Sequence, residues 1–575
     1  MWARVSDRGR WALVVLAAAI ALLALDAWWI ATYRHGFPLD IDEAGYMSFA
    51  FNDYLGLKLN GLHGWWDTIQ GTPVQAPLTT ALASLVLVVK QGTLAGFVVL
   101  AGFLVVLTMA VYGIAERLAG PRLGALAAII VATSEGAFLQ VHHFVFALPA
   151  AALLACAVYA LLRSEGMRWT RWALACGVAI GLMLLARTMT AAFVPGIVAG
   201  ALVALLTRPR EDWLPGALNI AVATVAAFAV AATWYWRNLD SVVDYLTSYG
   251  YGSKSANYGA SHSIVSWEWW HSVATRIASA DLLIPLTAIV LAGLVAVAVE
   301  AVGQIRGARD RAGTALRIIG SDAFSVAIVF AAGYLALSTS RNTGSGFTFP
   351  IAILLPPIAV IALRLHKRAV VPVIAALAIV AAINVLANSS LSETMARERS
   401  VDVPLLGTMP WISGVPRAVK AIRVQVPGPE TRFDDQDRGW PRADVAFSRY
   451  VFEELSTAIE TPVVAFGTRS RAFNTNTVQL GAQTAFHRII PVEQLESDRG
   501  NGPHAYVARL THPQFGRRPG VVLTMSSNEG DFPPTVDQES VEIAARRLGF
   551  HLVRTMGLPD GRRLRIWFKK DPDSL

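Results

Sequence analysis

Apolar stretches separated by short, often Arg-rich links fill roughly the first two-thirds of the chain. They lie near Trp11–Ala31, Leu94–Ala115, Leu123–Phe138, Phe144–Leu162, Trp172–Ala186 and Thr190–Leu206. The series continues near Ala217–Trp236, Leu282–Val302, Phe324–Ser338, Phe349–Leu363 and Val370–Ala387. A helix rises about 1.5 Å per residue and the hydrocarbon core is about 30 Å thick, so these runs predict transmembrane helices. A further apolar segment, Pro73–Val89, would be only about 25 Å long as a helix. Counting it as a span would place every later Arg-rich link outside, against the positive-inside rule, so it reads as a short or re-entrant helix.

From about Ser389 the pattern changes. Charged residues, Pro and Gly become frequent, and short β-rich runs alternate with helical periodicity. The runs are Pro462–Gly467, Gly520–Thr524 and Arg563–Phe568, with helical patterns at Val445–Ile459 and Glu539–Leu548. The expected fold class is therefore an α-helical polytopic membrane protein of about 11 spans, plus the short helix, with a C-terminal soluble α/β domain. The expected division is 1–390 for the transmembrane part and 391–575 for the soluble part.

Composition agrees. Of 575 residues, 54% are hydrophobic and 16% charged, too little charge to cover a soluble chain of this length. The net charge of +8 suggests a nucleic-acid partner until its distribution is considered: most Arg of the first part sits in the links between apolar runs. No nucleic acid is expected. The links Glu116–Arg122, Arg163–Arg171, Arg208–Trp213, Arg306–Arg317 and Arg364–Arg368 alternate with less basic ones, which predicts a cytoplasmic N-terminus and a C-terminal domain outside. Arg greatly outnumbers Lys and Ala is abundant, which hints at a GC-rich bacterial gene, and the expected location is the bacterial cytoplasmic (inner) membrane. Cys156 and Cys176 both fall in apolar runs, as packing residues do.

The first outer loop, Thr32–Thr72, holds the most chemistry. Asp40, Asp42 and Glu43 follow the first span, Met47–Leu59 reads as a short amphipathic helix, and Trp65–Trp66 suit the headgroup level. A carboxylate there suits a general base for a hydroxyl acceptor; a solvated loop face explains the same spacing. Arg187, Arg237 and Arg341 fall at the ends of spans on the less basic side, where bidentate pairing would hold a phosphate. Interfacial anchoring is the alternative. Tyr245–Gly252, in the long outer loop Asn238–Ala280, offers Tyr249 and Tyr251 as sugar-stacking rings, and Trp267–His271 reads as an aromatic belt. His262 and His271 could join His142 or His143 around a cation, although no tight metal motif is present. Asp26 lies inside the first apolar run, and Asn474–Thr477 and Asp531–Pro534 are turn-forming clusters suited to an acceptor glycan or to ordinary turns.

Asp42-Glu43-Ala-Gly-Tyr46 resembles the Asp-Glu motif in the first outer loop of GT-C glycosyltransferases of the PMT/ArnT-like branch. Gln75-Ala-Pro-Leu78 resembles the start of that family's next helix, without its His and first Pro. Tyr112–Ala132 is similar to its Arg-rich turn and Ala-rich helix, and Gly177–Thr188 to its Gly-x-x-x-Leu-x-Lys/Arg helix end. Where relatives often carry an Asp, this chain has Gln140-Val-His-His143. The resemblance implies a polyprenyl-phosphate sugar donor, an outward-facing site and inversion at the anomeric carbon. It also implies Asp42 as base, with Glu43 beside it to arrange the acceptor or a metal. Tyr46 of the same motif, and His142 and His143 in the neighbourhood of the relatives' Asp, are candidate substrate contacts, while Arg187, Arg341 and Arg237 on the donor phosphate and Tyr249 and Tyr251 on the sugar rest on the physical argument above. The acceptor would be a cell-wall glycan, a lipid or a protein, with membrane lipids as the surroundings. A divalent cation is left open as cofactor. Competing readings are a flippase or transporter of a lipid-linked saccharide, and a non-catalytic envelope assembly protein.

Overall fold

The computed structural model describes residues 6–34, 36–252, 254–255, 263, 265–342, 344, 346–389, 391, 399–404, 406–412, 438–456, 461–495, 500, 502–512, 516–529, 531 and 535–572. The expected domain boundary at residue 390, His262, Ile459 and 532–534 lie outside the described residues. The chain divides into two compact units. The first comprises Met1–Ala31, Asp67–Ala83 and Gly96–Arg417; the second comprises Thr32–Trp66, Ser84–Ala95 and Ala418–Leu575.

In chain order, α1 (Asp7–Trp29) runs on through a π-helical turn at Ile30–Arg34 and is followed by α2 (Ile41–Gln70), α3 (Leu78–Val89) and α4 (Leu94–Ala119). Then come α5 (Pro121–Ala132), α6 (Glu135–Val141), α7 (Ala147–Arg163), α8 (Thr170–Ala186), α9 (Val194–Leu206) and α10 (Trp213–Gly250). The helical part closes with α11 (Trp267–Arg276), α12 (Leu283–Gly307), α13 (Arg311–Ile319), α14 (Asp322–Thr339), the short α15 (Phe349–Ala352), α16 (Leu355–Ala359) and α17 (Ile361–Leu365), and α18 (Val370–Asn388).

Among the described residues, seven helices are long and apolar enough to cross a membrane. The pair α5 and α6, bent by 55°, would make an eighth. Every apolar run read from the sequence is helical, including the shorter α3, α7, α8 and the Phe349–Leu365 stretch. That last stretch is broken into α15, α16 and α17, with Pro350, Pro356 and Pro357 near the starts of the pieces, because proline cannot donate to the preceding turn. The bend between α5 and α6 falls where Ser134 caps α6 by accepting from the Ala137 N–H. Helices α8 and α10 approach closely because both present small residues: a Cβ on Gly177 would lie 2.1 Å from the Ala223 carbonyl oxygen.

One expectation is corrected here. Helix α10 continues past Arg237 to Gly250, so Tyr245–Gly250 are its last turns rather than part of a loop. The helix expected at Met47–Leu59 is present as the part of α2 before its break at Asn60 and Gly61, the latter at φ +63°, and it starts earlier, at Ile41. The first unit also contains an antiparallel hairpin, β1 (Arg399–Val403) and β2 (Gly407–Ile412).

The second unit contains α19 (Trp440–Tyr450), β3 (Val464–Phe466), α20 (Thr475–Phe486), β4 (Val492–Gln494), α21 (Pro503–Thr511), β5 (Val521–Met525), α22 (Gln538–Arg547), β6 (His551–Gly557) and β7 (Arg563–Phe568). A π-helical turn, Val451–Leu455, extends α19. The sheet order is β4-β3-β5-β7-β6, with β3 parallel to both β4 and β5 and the β5–β7–β6 pairs antiparallel. Alternate strand residues feed two cores: Val464, Phe466, Leu523 and Ile566 on one face, Ala465, Val522 and Trp567 on the other. The first core also takes in Phe37, so the segment after the first membrane helix is anchored in the α/β domain.

Candidate functional site

In the second unit, the functional candidates begin where the chain leaves α1. Asp42 and Glu43 form the first turn of α2, where exposed backbone N–H groups and the helix dipole favour ionised carboxylates. Glu43 is fully buried. Its Oε2 accepts from Arg34 Nη2 at 2.8 Å and from the Asp40 N–H at 3.2 Å, while Arg34 Nη1 donates to the Pro38 carbonyl at 3.0 Å. Both side chains of the pair are shielded, with exposures of 3% and 0%. Glu43 thus closes the Arg34–Asp40 turn on itself, and Asp42, half-buried, is held beside that clamp with Tyr46 one turn further along the same helix face.

The α/β domain grips the same segment. Asn476 Nδ2 donates to the Ile41 carbonyl at 2.8 Å, and Gln483 Nε2 donates to Asn52 Oδ1 at 2.7 Å and the Ser48 carbonyl at 3.3 Å. Gly45 is where Asn476 approaches: a Cβ there would lie 2.8 Å from Asn476 Nδ2. Arg471 is buried near Asp40; burial pulls its guanidinium below the ordinary value, and the Asp40 charge opposes this. Asn474–Thr477 is a capping box that starts α20. Thr477 in turn donates to Asp444, whose carboxyl burial raises well above the usual range, with the Thr477 bond acting the other way. Asp531 accepts from Thr468 and the Arg469 N–H and pairs with Arg562 at 3.0 Å, so it fixes the turn after β3.

In the first unit, several candidates meet the described residues between α14 and α15. The Arg341 N–H donates to the Gly250 carbonyl at 3.0 Å, and the Tyr251 hydroxyl meets Thr339 Oγ1 at 3.0 Å, so Arg341 and Tyr251 are tied to one corner. Gly346, at φ +74°, lies over Gln140: a Cβ would fall 2.9 Å from both atoms of the Gln140 carboxamide, so only glycine fits. Phe347 carries the half-buried Arg187 guanidinium 4.4 Å from its ring centroid. Thr348 anchors the far side by donating to Asp281.

His142 is buried, with Nε2 2.7 Å from Asp26 Oδ1 and its ring stacked on Trp29 at 3.8 Å and 8°. Asp26, which sequence reading left unassigned, is therefore the partner of a histidine of the Gln140–His143 segment. His143 places Nδ1 2.8 Å from the Leu139 carbonyl. Tyr249 stacks against Tyr245 at 4.7 Å, with Lys254 Nζ 5.1 Å from its ring centroid, and Arg237 is exposed on α10. The structure thus sets Arg187 and Gln140 against Phe347 and Gly346, and ties Arg341 and Tyr251 to the ends of α10 and α14. His271 lies against Trp267 and Thr275, and among the described residues no group of three His, Cys, Asp or Glu side chains could hold a metal ion.

Several helices are long and apolar enough to cross a membrane, and the fold is like that of GT-C proteins, as the resemblance implied. Residues 73–236 match the family profile described as dolichyl-phosphate-mannose-protein mannosyltransferase. The fold is similar to ArnT from Cupriavidus metallidurans bound to undecaprenyl phosphate, with a TM-score of 0.54 and 13% identity over 98% of each chain. It is also similar to the Archaeoglobus fulgidus oligosaccharyltransferase in its apo form, with a TM-score of 0.50 and 13% identity over 91% of this chain and 70% of that one. A third similar structure is the mycobacterial arabinofuranosyltransferase AftD, at a TM-score of 0.50 and 15% identity, which covers 99% of this chain but 40% of AftD. No curated protein matches the chain by sequence.

Proposed function

We propose that the chain is an integral-membrane glycosyltransferase that moves a sugar from a polyprenyl-phosphate donor to an extracytoplasmic acceptor, a cell-wall glycan, a lipid or a protein. The observation that carries this reading is Asp42 in the first turn of α2, just beyond the first membrane helix of a GT-C fold. The undecaprenyl phosphate bound by ArnT supports a lipid-phosphate donor. The acceptor hydroxyl oxygen attacks the anomeric carbon from the face opposite the phosphate and gives its proton to the Asp42 carboxylate. The anomeric C–O bond breaks, and its electron pair leaves on the phosphate, where Arg187 and Arg341 pair with the charge.

Glu43 holds Arg34 and the Asp40 N–H just before Asp42, and Asp26 orients His142. Tyr46, His143, Tyr249 and Tyr251 contact sugar or acceptor, and Arg237 acts as an outlying cation for the lipid phosphate. A divalent cation remains open as cofactor. The same reading takes the eight candidate spans with α7, α8 and the Phe349–Leu365 stretch as eleven crossings. It puts the protein in a bacterial cytoplasmic membrane, with residues 1–390 as the catalytic part and 391–575 outside.

The test is sugar transfer by the purified protein in nanodiscs, supplied with radiolabelled polyprenyl-phosphate sugars and an envelope extract as acceptor. Asp42→Asn keeps the shape and removes the base, so transfer is expected to fall by a factor of about 100 or more, with the melting temperature unchanged. Full transfer by this variant would remove Asp42 from its role.

A further inference from the structure

The α/β domain has a concave feature remote from the Asp42 segment. A cavity of about 550 Å³ opens where parallel strands β3 and β5 begin and β7 ends. Its described lining brings Arg517 and Arg518, from the loop before β5, together with Lys569 and Lys570, which follow β7. One carboxylate, Asp571, accompanies the four cations. Four cations against one carboxylate leave the lining net positive, which favours an anionic ligand.

The walls are not loose. The Gly520 and Val521 N–H groups both donate to the Val463 carbonyl, at 3.0 and 3.1 Å, and the Lys569 N–H donates to the Gly520 carbonyl at 3.0 Å. The cations therefore stand on, or one to three residues from, the sheet ladder, as a preorganised site requires. Leu455, Pro462, Val463 and the half-buried Phe568 supply an apolar side. A bare phosphate needs no such wall and fills only part of this volume. A sugar ring offers C–H faces to an aromatic wall and hydroxyls to the rim.

We propose that this cavity binds an anionic saccharide, a sugar bearing a phosphate or a uronate carboxylate. Within the domain, Asp42 belongs to the other end of the sheet, where Arg471 and Asn476 follow β3. The five residues of β5 alone set the two ends about 16 Å apart. The cavity is therefore a tether for a charged glycan rather than part of the reacting centre, and it stands whether or not the chain transfers sugar.

The test is calorimetric titration of the full-length protein in nanodiscs of zwitterionic lipid, using glucose 1-phosphate, glucuronate, glucose and inorganic phosphate. Saturable, salt-sensitive binding of at least one charged sugar is expected, tighter than for inorganic phosphate, with glucose not bound. The exposed Arg517 and Lys570 can change without disturbing the core. R517Q and K569Q/K570Q should each weaken binding roughly ten- to a hundredfold while melting stays at the wild-type temperature. Absence of saturable binding, equal affinity for inorganic phosphate, or undiminished binding by both variants would overturn the proposal. So would charged-sugar binding that is lost once anionic lipid is added to the nanodisc, because the site would then serve headgroups.

Discussion

Successive residues of a helix point about 100° apart, so Asp42 and Glu43 meet different surroundings although they are neighbours in the chain. Glu43 turns inward to Arg34 and the Asp40 N–H, and both ends of that pair are shielded from water. Removing one partner of such a pair leaves the other charge buried and uncompensated. Glu43→Ala is therefore expected to destabilise the protein by about 3–5 kcal/mol, while Glu43→Leu combined with Arg34→Met should cost far less. Asp42→Asn should leave stability as it is. Thermal unfolding of the variants in one detergent separates the two carboxylates. Equal melting temperatures for wild type and Glu43→Ala would remove the clamp. The Asp-Glu motif was legible as a pair, but spacing alone does not tell which carboxylate faces inward, because that depends on Arg34 turning back through the π-helical turn Ile30–Arg34.

At the level of elements, apolar periodicity identified the membrane helices because lipid leaves the backbone no partner but itself. It misjudged the end of α10, since the amphipathic turns after Trp236 are as polar as a loop. The strands β3, β5 and β7 were readable as β-rich runs, whereas the three-residue β4 was too short to leave a pattern, and β6, exposed at nearly every position, lacks the alternation of a half-buried strand. What sequence could not give was the grip of α20 on α2, more than 400 residues away in the chain. Asn476 had looked like turn chemistry, and its amide in fact reaches the Ile41 carbonyl beside Gly45. Gly45→Ala must displace that amide, and Asn476→Ala deletes it, so each should cost about 1 kcal/mol and the double variant little more than either. Additive losses in a double-mutant cycle would mean that the two positions are not coupled.

For the whole chain, topology is the quantity on which the proposed chemistry depends, because a base and phosphate-binding arginines serve an extracytoplasmic acceptor only if their loops lie outside. The Arg-rich links supply one argument. A second comes from the helices themselves: α3 is about 18 Å long, well short of the hydrocarbon core, so leaving it out of the count follows from its length as well as from charge. Counting it as a crossing would reverse every loop that follows. The two arrangements differ in a measurable way. In a background with Cys156 and Cys176 replaced by Ala, a cysteine introduced at Lys367 is expected to resist a membrane-impermeant maleimide added to intact cells. Cysteines at Arg563 or Lys254 should be labelled. Lys254 lies outside the candidate spans, Arg563 belongs to the second unit, and the exposed Lys367 is the first residue of the candidate span Lys367–Asn388; permeabilised cells give the reference for full labelling. If α3 crosses the membrane, labelling moves to Lys367 and leaves Lys254 and Arg563, and Arg187 and Arg341 would then face the cytoplasm, where the proposed acceptor is absent.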